Sequence, residues 1–307
     1  MNKVLIYISF AVLAASPSMA QIQHTINGLS DTVSHAITAI DSIRFDTASN
    51  HMQLVLQDGA TASFLIDSIY TVTFATTTGS ALHTCGADSV HNPALNYGTL
   101  SDQDGNVYKT IAIGGSEWMA ENLKTARYQN GDAIAELSGE FEWAETNAGA
   151  WCMPLGDAGN ECPYGKLYNG IAVADSRNIC PVNWHIPNEL EWNALLLFLD
   201  SQSNTACLNC IQSDVAGTLL KSAGTAYWQG QNMLADGYNI SGFSALPAGF
   251  RGSDGTFSYL GQRGAWWSAD IAPGGLRISH SAESQSAQIG KFADEPKSGF
   301  SVRCVRD

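Results

Sequence analysis

The sequence predicts an α+β protein in which a small all-β unit precedes a larger domain of short strands, frequent turns and few helices. Three observations lead there. Met52, Leu54 and Leu56 alternate with Gln53, Val55 and Gln57 ahead of Asp58-Gly59, the pattern of a hairpin. From about Cys85 the residues fall into short strand-like runs broken by Gly, Asn and Asp, with clustered Trp. Clear helical spacing occurs in one stretch, where Leu190, Leu195, Leu196 and Leu199 recur beside Trp192.

Ahead of the first unit stands an expected export signal. Lys3 supplies a positive start, Val4 to Ala15 an apolar run, and Ser18-Met19-Ala20 a small-x-small site for cleavage after Ala20. The run is too short to span a bilayer, and no later run resembles it. No Cys follows the cut, which disfavours a lipid anchor, so the expectation is a secreted or cell-surface protein without a membrane span.

Residues 21–75 form the expected β unit of three or four strands. Ile40-Asp41-Ser42-Ile43 recurs as Ile66-Asp67-Ser68-Ile69, and 63–74 is rich in Ile, Val, Thr, Phe and Tyr. So small a sheet buries little by itself, and an open strand edge suits self-assembly or pairing with a partner. Residues 76–84 serve as a linker to the domain at 85–307.

Composition excludes some functions. Fifteen Lys and Arg against 29 Asp and Glu give a formal charge of −14. Nucleic-acid affinity comes mainly from Lys and Arg on phosphates, so nucleic acid is excluded. The acidity also keeps an exported protein soluble.

Seven Cys in an exported chain read as disulfides. Cys152 and Cys162 bracket a loop suited to a local bridge. Cys180 and Cys304 would tie mid-domain to C-terminus, at about 4–5 kcal/mol in the chain-entropy model. Cys207 and Cys210 form a CxxC without a thioredoxin-like context, better read as a small structural bridge. Cys85 is left over.

In the large domain, Asp104-Gly105-Asn106 is a turn leading into the strand Val107–Ile113. A calcium loop aligned on Gly105 would place Leu100 and Ile111 at ligand positions, and neither coordinates calcium. Asn188 followed by Glu191 opens the helix, about 189–200. A second short helix is expected over 214–222, and a final strand over 301–305.

The ordered segments YKTIAIGGSEWMAENL, YGKLYNG, CPVNWHIPNELEW, AGTLLKS, SGFSALPAGFRG, WWS and GFSVRCVRD resemble the Fibrobacter succinogenes major paralogous domain over about residues 83–307. The resemblance implies an exported bacterial protein. It also implies a fold similar to the C-type-lectin-like and formylglycine-generating-enzyme-like group, with few helices, short antiparallel strands and long loops. In that group the loops before the final strands commonly carry ligand, here about 227–290. Calcium-dependent lectins use Glu-Pro-Asn or Gln-Pro-Asp. This chain has Glu295-Pro296-Lys297, whose Lys repels calcium, so no cofactor is expected and a structural calcium ion has no motif behind it.

Catalytic patterns are not apparent. The seven His show no HExxH spacing, and no Gly-x-Ser-x-Gly elbow or phosphate-cradling loop occurs. His185 reads as a near-core residue, and Asp294 and Glu295 as solvated turn residues. Tyr227, Trp228, Arg251, Tyr259, Arg263, Trp266, Trp267 and Arg277 cluster in loop-rich sequence. Aromatic faces stack on sugars or anchor proteins, and Arg adds directional hydrogen bonds. The expectation is therefore a non-enzymatic adhesion or ligand-binding module for a glycan or protein ligand. The alternatives are a structural subunit of a surface assembly and, third, an unrecognised enzyme.

Overall fold

The computed structural model describes residues 18–26, 29–36, 40–46, 51–56, 61–65 and 69–76 as strands, and residues 90–223, 226–229 and 239–306 throughout. Two compact units result, Met1–Ala81 and Leu82–Asp307. The expected leader up to Pro17, the Asp58-Gly59 turn, residues 77–84 of the linker and Cys85 lie outside the described residues.

Among the described residues the first unit holds six strands where three or four were expected. Ser18–Ile26 is central in one antiparallel sheet, between Leu29–Ala36 and Ile69–Thr76. Ile40–Asp46, His51–Leu56 and Thr61–Leu65 form a separate meander. The strands missed, Ser18–Ile26 and Leu29–Ala36, are rich in Ser, Thr, Gln and His, so composition does not mark them as β. The central strand crosses the expected cleavage point, yet Gln21 and Ile22 each pair on both sides. A chain beginning at Gln21 keeps the centre of that sheet.

In the second unit, five helices and fourteen strands among the described residues make an α+β fold. Gly98–Ser101, Val107–Ile113, Ser116–Met119 and Val305–Arg306 form one antiparallel sheet. Asp102 closes its first turn. Its carboxylate accepts from the Asp104 and Asn106 amides and from the Tyr108 hydroxyl at 2.5 Å, leaving Gly105 at φ +81°. A six-stranded sheet runs Ala135–Glu136, Ala150–Cys152, Leu167–Asn169, Gly299–Phe300, Phe250–Arg251, Phe257–Ser258. The third, the four-stranded sheet that carries the site, runs Cys210–Ser213, Ile289–Asp294, Arg277–Glu283, Arg263–Ile271, all antiparallel.

The helix Glu189–Leu199 starts on a complete capping box, Asn188 with Glu191. It buries Trp192, Leu195 and Leu196. Leu190, counted in the apolar stripe, is 80% exposed instead, because it starts the helix on the side away from the core. The second helix contracts to Ala216–Leu220. The expected last strand is replaced by Gly299–Phe300 and Val305–Arg306, which belong to different sheets. Between them Val302 and Cys304 are buried, as the chain crosses from one sheet to the other.

Two main apolar clusters result. One surrounds Cys180 and Cys304 with Tyr108, Tyr168, Trp184, Trp267 and Phe300. The other gathers Trp118, Trp192, Trp228, Phe243, Trp266 and Ile289. Cys180 and Cys304 are bridged, with Cα atoms 5.8 Å apart. Cys207 and Cys210 are bridged as well. The expected Cys152–Cys162 bridge is absent: Cys152 is a buried thiol, and Cys162 is disulfide-bonded elsewhere. The strand Ala150–Cys152 carries all three of its side chains into the interior, so Cys152 packs with Trp143, Leu167 and Ala248 rather than facing the loop.

Candidate functional site

The eight expected ligand residues separate sharply. Trp228, Trp266 and Trp267 are buried, and each indole nitrogen donates inward, to Ala245 O at 3.0 Å, Asn122 Oδ1 at 2.9 Å and Tyr168 O at 2.7 Å. Arg251 is also buried. Its guanidinium donates to Leu137 O at 2.6 Å, Gly255 O at 2.8 Å and Ser138 O at 3.0 Å, between the rings of Trp143 and Phe257. Arg277 is buried and donates to Ala269 O. The expectation that these five present a ligand surface is corrected: they hold the interior together. A buried cation is tolerated where carbonyls and aromatic faces replace its water.

Tyr227 is half-buried, edge-on to Tyr164 at 6.1 Å. Tyr259 and Arg263 come together elsewhere, at the turn that leads from Phe257–Ser258 of the six-stranded sheet into Arg263–Ile271 of the four-stranded one. Tyr259 is 56% exposed and sits at φ +62°, a conformation a bulky residue rarely adopts. Its carbonyl accepts from Gln262 N and Arg263 N, closing a tight turn. The ring stacks on Phe250 at 5.6 Å and 19°. The Arg263 guanidinium lies 5.5 Å from Phe250 and 5.4 Å from Phe292. A continuous ladder of ring, ring, cation and ring results.

Strand pairing explains what lies beside that ladder. Arg263 is opposite Glu283, Ser281 opposite Gly290, and Gly290 opposite Ile211. Directly opposed residues share a face, so these side chains line one side of the sheet. There they bound a half-open pocket of about 100 Å3, lined by Ile211, Ser281, Glu283, Gln288, Gly290 and Phe292 together with Ser286. The floor depends on glycine: a Cβ on Gly290 would stand 2.6 Å from the Phe292 ring. Arg263 Nη2 donates to Ser281 Oγ at 2.9 Å, and its buried Nε has no partner. At the far end of the pairing Asp294 accepts from Ser279 Oγ at 2.6 Å. Burial raises its carboxyl above the usual range, outweighing that hydrogen bond and the nearby Arg263. Asp294 is thus a partly buried strand residue, not a solvated turn residue.

Sequence reasoning passed over Ile211, Ser281, Glu283, Gln288 and Phe292. The signal was period two: Ser279, Ser281 and Glu283 alternate with Ile278, His280 and Ala282, as a strand with one polar face does. The opposite face is where His280 lies. It is buried and stacked on Trp192 at 4.3 Å, with Nε2 2.9 Å from Glu189 Oε1. Burial would raise the Glu189 carboxyl, but His280 and Lys291 prevail and hold it at about 2. Burial also lowers His280 below its ordinary value, against the pull of Glu189.

Two other His bear on catalysis. His185 is half-buried, its side chain 42% exposed and paired with Glu191 at 2.6 Å ahead of the helix. His91 contacts Ser244 Oγ at 3.1 Å through Nδ1 and Glu121 Oε1 at 3.3 Å through Nε2. This has the membership of a serine triad. Ser244, however, is wholly buried, and its hydroxyl also meets Asn239 Nδ2 and Gly242 O. No substrate atom reaches an oxygen so enclosed, and the trio works as an internal polar network.

A family model described as the Fibrobacter succinogenes major domain matches residues 111–306. No curated protein and no solved structure matches the chain.

Proposed function

The chain belongs to the Fibrobacter succinogenes major domain family, and from that premise we propose that it is an exported, non-enzymatic surface protein presenting a lectin-like ligand-binding module. The observation that carries this reading is the ladder Tyr259, Phe250, Arg263 and Phe292 beside the pocket. An exposed Tyr held in a left-handed conformation, next to a guanidinium between two rings, is a preorganised recognition surface. Export follows from the leader, with cleavage after Ala20. The Cys180–Cys304 and Cys207–Cys210 disulfides suit an oxidising exterior. The ligand, glycan or protein, is engaged by adhesion rather than turnover, in keeping with the enclosure of Ser244.

The test is binding of the protein to immobilised polysaccharides and matrix proteins. Saturable binding that drops at least tenfold in Tyr259→Ala supports the module. Binding to none of the surfaces overturns it.

A second reading, a structural subunit, has its own observation. Among the described residues, Leu29–Ala36 and Ile69–Thr76 are the outer strands of one N-terminal sheet, and Ile40–Asp46 and Thr61–Leu65 those of the other. Outer edges of this kind pair with further strands. Concentration-dependent self-association, lost on removal of residues 21–76, would favour it.

A further inference from the structure

The helix Glu189–Leu199 is apolar on both sides. We propose that its outer side packs against the same side of a second copy of this chain, antiparallel, about a two-fold axis at Ala194. The inner side buries Trp192, Leu195 and Leu196. At about 100° per residue, Leu190, Ala194, Leu197 and Phe198 fall on the opposite side. A surface helix ordinarily fills that side with charged and polar groups. Here Leu190 is 80% and Phe198 68% exposed, with Ala194 and Leu197 exposed between them. The charges of the first turn are engaged elsewhere: Glu189 meets His280 and Lys291, and Glu191 meets His185. Among the described residues the helix therefore turns an uncharged apolar face to solvent, the mark of an interaction surface.

The pattern on that face is its own complement. Leu190 stands four residues before Ala194 and Phe198 four after it, so the three form one i, i+4 ridge with a small residue at its centre. Reversed about Ala194, the ridge again reads large, small, large, and Leu190 of each copy meets Phe198 of the other. The small side chain at the axis lets the helices approach, and ridges of this class cross at about 50°. The antiparallel sense also opposes the two helix dipoles, amino end beside carboxyl end. Such an isologous contact closes at two copies. Other occupants fit less well. A lipid surface draws helices whose polar side carries Lys and Arg, whereas this helix contains neither and the chain carries a formal −14. A charged partner finds no opposite charge on the face. A different apolar protein would not require the face to mirror itself about Ala194.

The surrounding fold leaves this contact open. Gly114 passes close to the helix, where a Cβ would stand 3.3 Å from Ala194 O and 3.4 Å from Phe198 Cβ, while a Cβ on Gly115 would meet nothing within 4 Å. The helix lies on the His280 face of the four-stranded sheet, held by Glu189. Arg263, Ser281 and Gly290 point to the other face. Two copies joined through the helix thus keep the ladder and the pocket free on each, a bivalent arrangement. Four residues are few against the roughly 20 on each side of a stable interface. The dimer should accordingly be weak, with Kd on the order of 100 μM, and should form where the chain is concentrated.

The test is sedimentation velocity of the full chain between about 10 μM and about 1 mM, a range that brackets the expected Kd. A monomer–dimer equilibrium is expected, weakened at least tenfold by Leu190→Glu and by Phe198→Lys. Both sites are exposed, so circular dichroism should stay unchanged. Mixed in equal amounts, the two variants should regain the dimer, because the introduced charges then meet across the contact. A mixture that stays monomeric overturns the antiparallel pairing, and a natural chain that is monomeric throughout overturns the dimer. Association that neither variant weakens, as pairing through the N-terminal strand edges would give, overturns it as well. Flotation on phosphatidylglycerol vesicles that Leu190→Glu abolishes, without self-association, would assign the face to a membrane instead. Each failure leaves the ligand-binding reading standing, since that reading rests on the other face of the sheet.

Discussion

Trp266 and Trp267 are neighbours in sequence yet belong to different cores. Trp266 joins Trp118, Trp192 and Phe243, whereas Trp267 lies 4.5 Å from Phe300 in the cluster around the Cys180–Cys304 bridge. The strand Arg263–Ile271 therefore runs between the two clusters, and its alternation serves both. The same strand begins with Arg263, so the site is built on a doubly buried element.

Truncating either indole should be costly and independent of the other. Trp266→Ala and Trp267→Ala are each expected to lower stability by about 3–5 kcal/mol. Because the two side chains occupy separate clusters, their effects should nearly add in a milder Phe/Phe pair. Denaturant unfolding measures this, and strong coupling between the two would contradict the two-core description.

Arg251 should behave as a structural cation. Arg251→Lys retains charge but cannot reach Leu137, Ser138 and Gly255 together. A loss of about 2–4 kcal/mol is expected, with binding by the folded fraction unchanged. Normal stability with abolished binding would return Arg251 to the ligand surface.

Cysteine chemistry separates the pairs. Burial pushes the Cys152 thiol up to about 12, despite the nearby Arg251. Native protein should resist alkylation at Cys152 and react there once unfolded. Cys180→Ala with Cys304→Ala should lower stability by about 4–5 kcal/mol. Rapid labelling of Cys152 at pH 8 in the native state would contradict its placement.

Acid should act in two stages. His280 has its value lowered below the ordinary 6.5 by burial, so the unfolded chain takes up the proton first. Stability is then full above about pH 6.5 and falls as pH drops below it. Glu189, held at about 2 against an ordinary 4.5, contributes stability above 4.5 that is lost as pH falls toward 2. His280→Gln should weaken the lower stage, because Glu189 then keeps Lys291 but loses the imidazole that helps hold its carboxyl down, and should flatten the melting temperature between pH 7 and 5. His91, also lowered by burial, should keep a residual slope there. A melting temperature independent of pH between 7 and 5 would rule out buried neutral imidazoles.

Tyr259 separates binding from stability. Tyr259→Gly relieves the left-handed backbone at φ +62°, which costs an L-residue roughly 1 kcal/mol. It also removes the ring over Phe250. Stability should change little, while binding falls at least tenfold. A fall in both by comparable amounts would make Tyr259 a packing residue.

The sequence by itself determined what rests on short-range chemistry. Asn188 and Glu191 cap a helix wherever it packs, Asp102 to Asn106 closes its own turn, and the strand Val107–Ile113 follows from its alternation. The ordered motifs identify the family across 111–306. Only the tertiary structure decided which side of an element faces water. Trp228, Arg251 and Trp267 look like ligand residues in loop-rich sequence, but carbonyls distant in the chain satisfy them. Glu283, Gly290 and Phe292 meet only through strand register, a long-range property no local spacing contains. A hydrogen-bonding side chain is equally suited to a ligand or to its own backbone, and packing chooses between them.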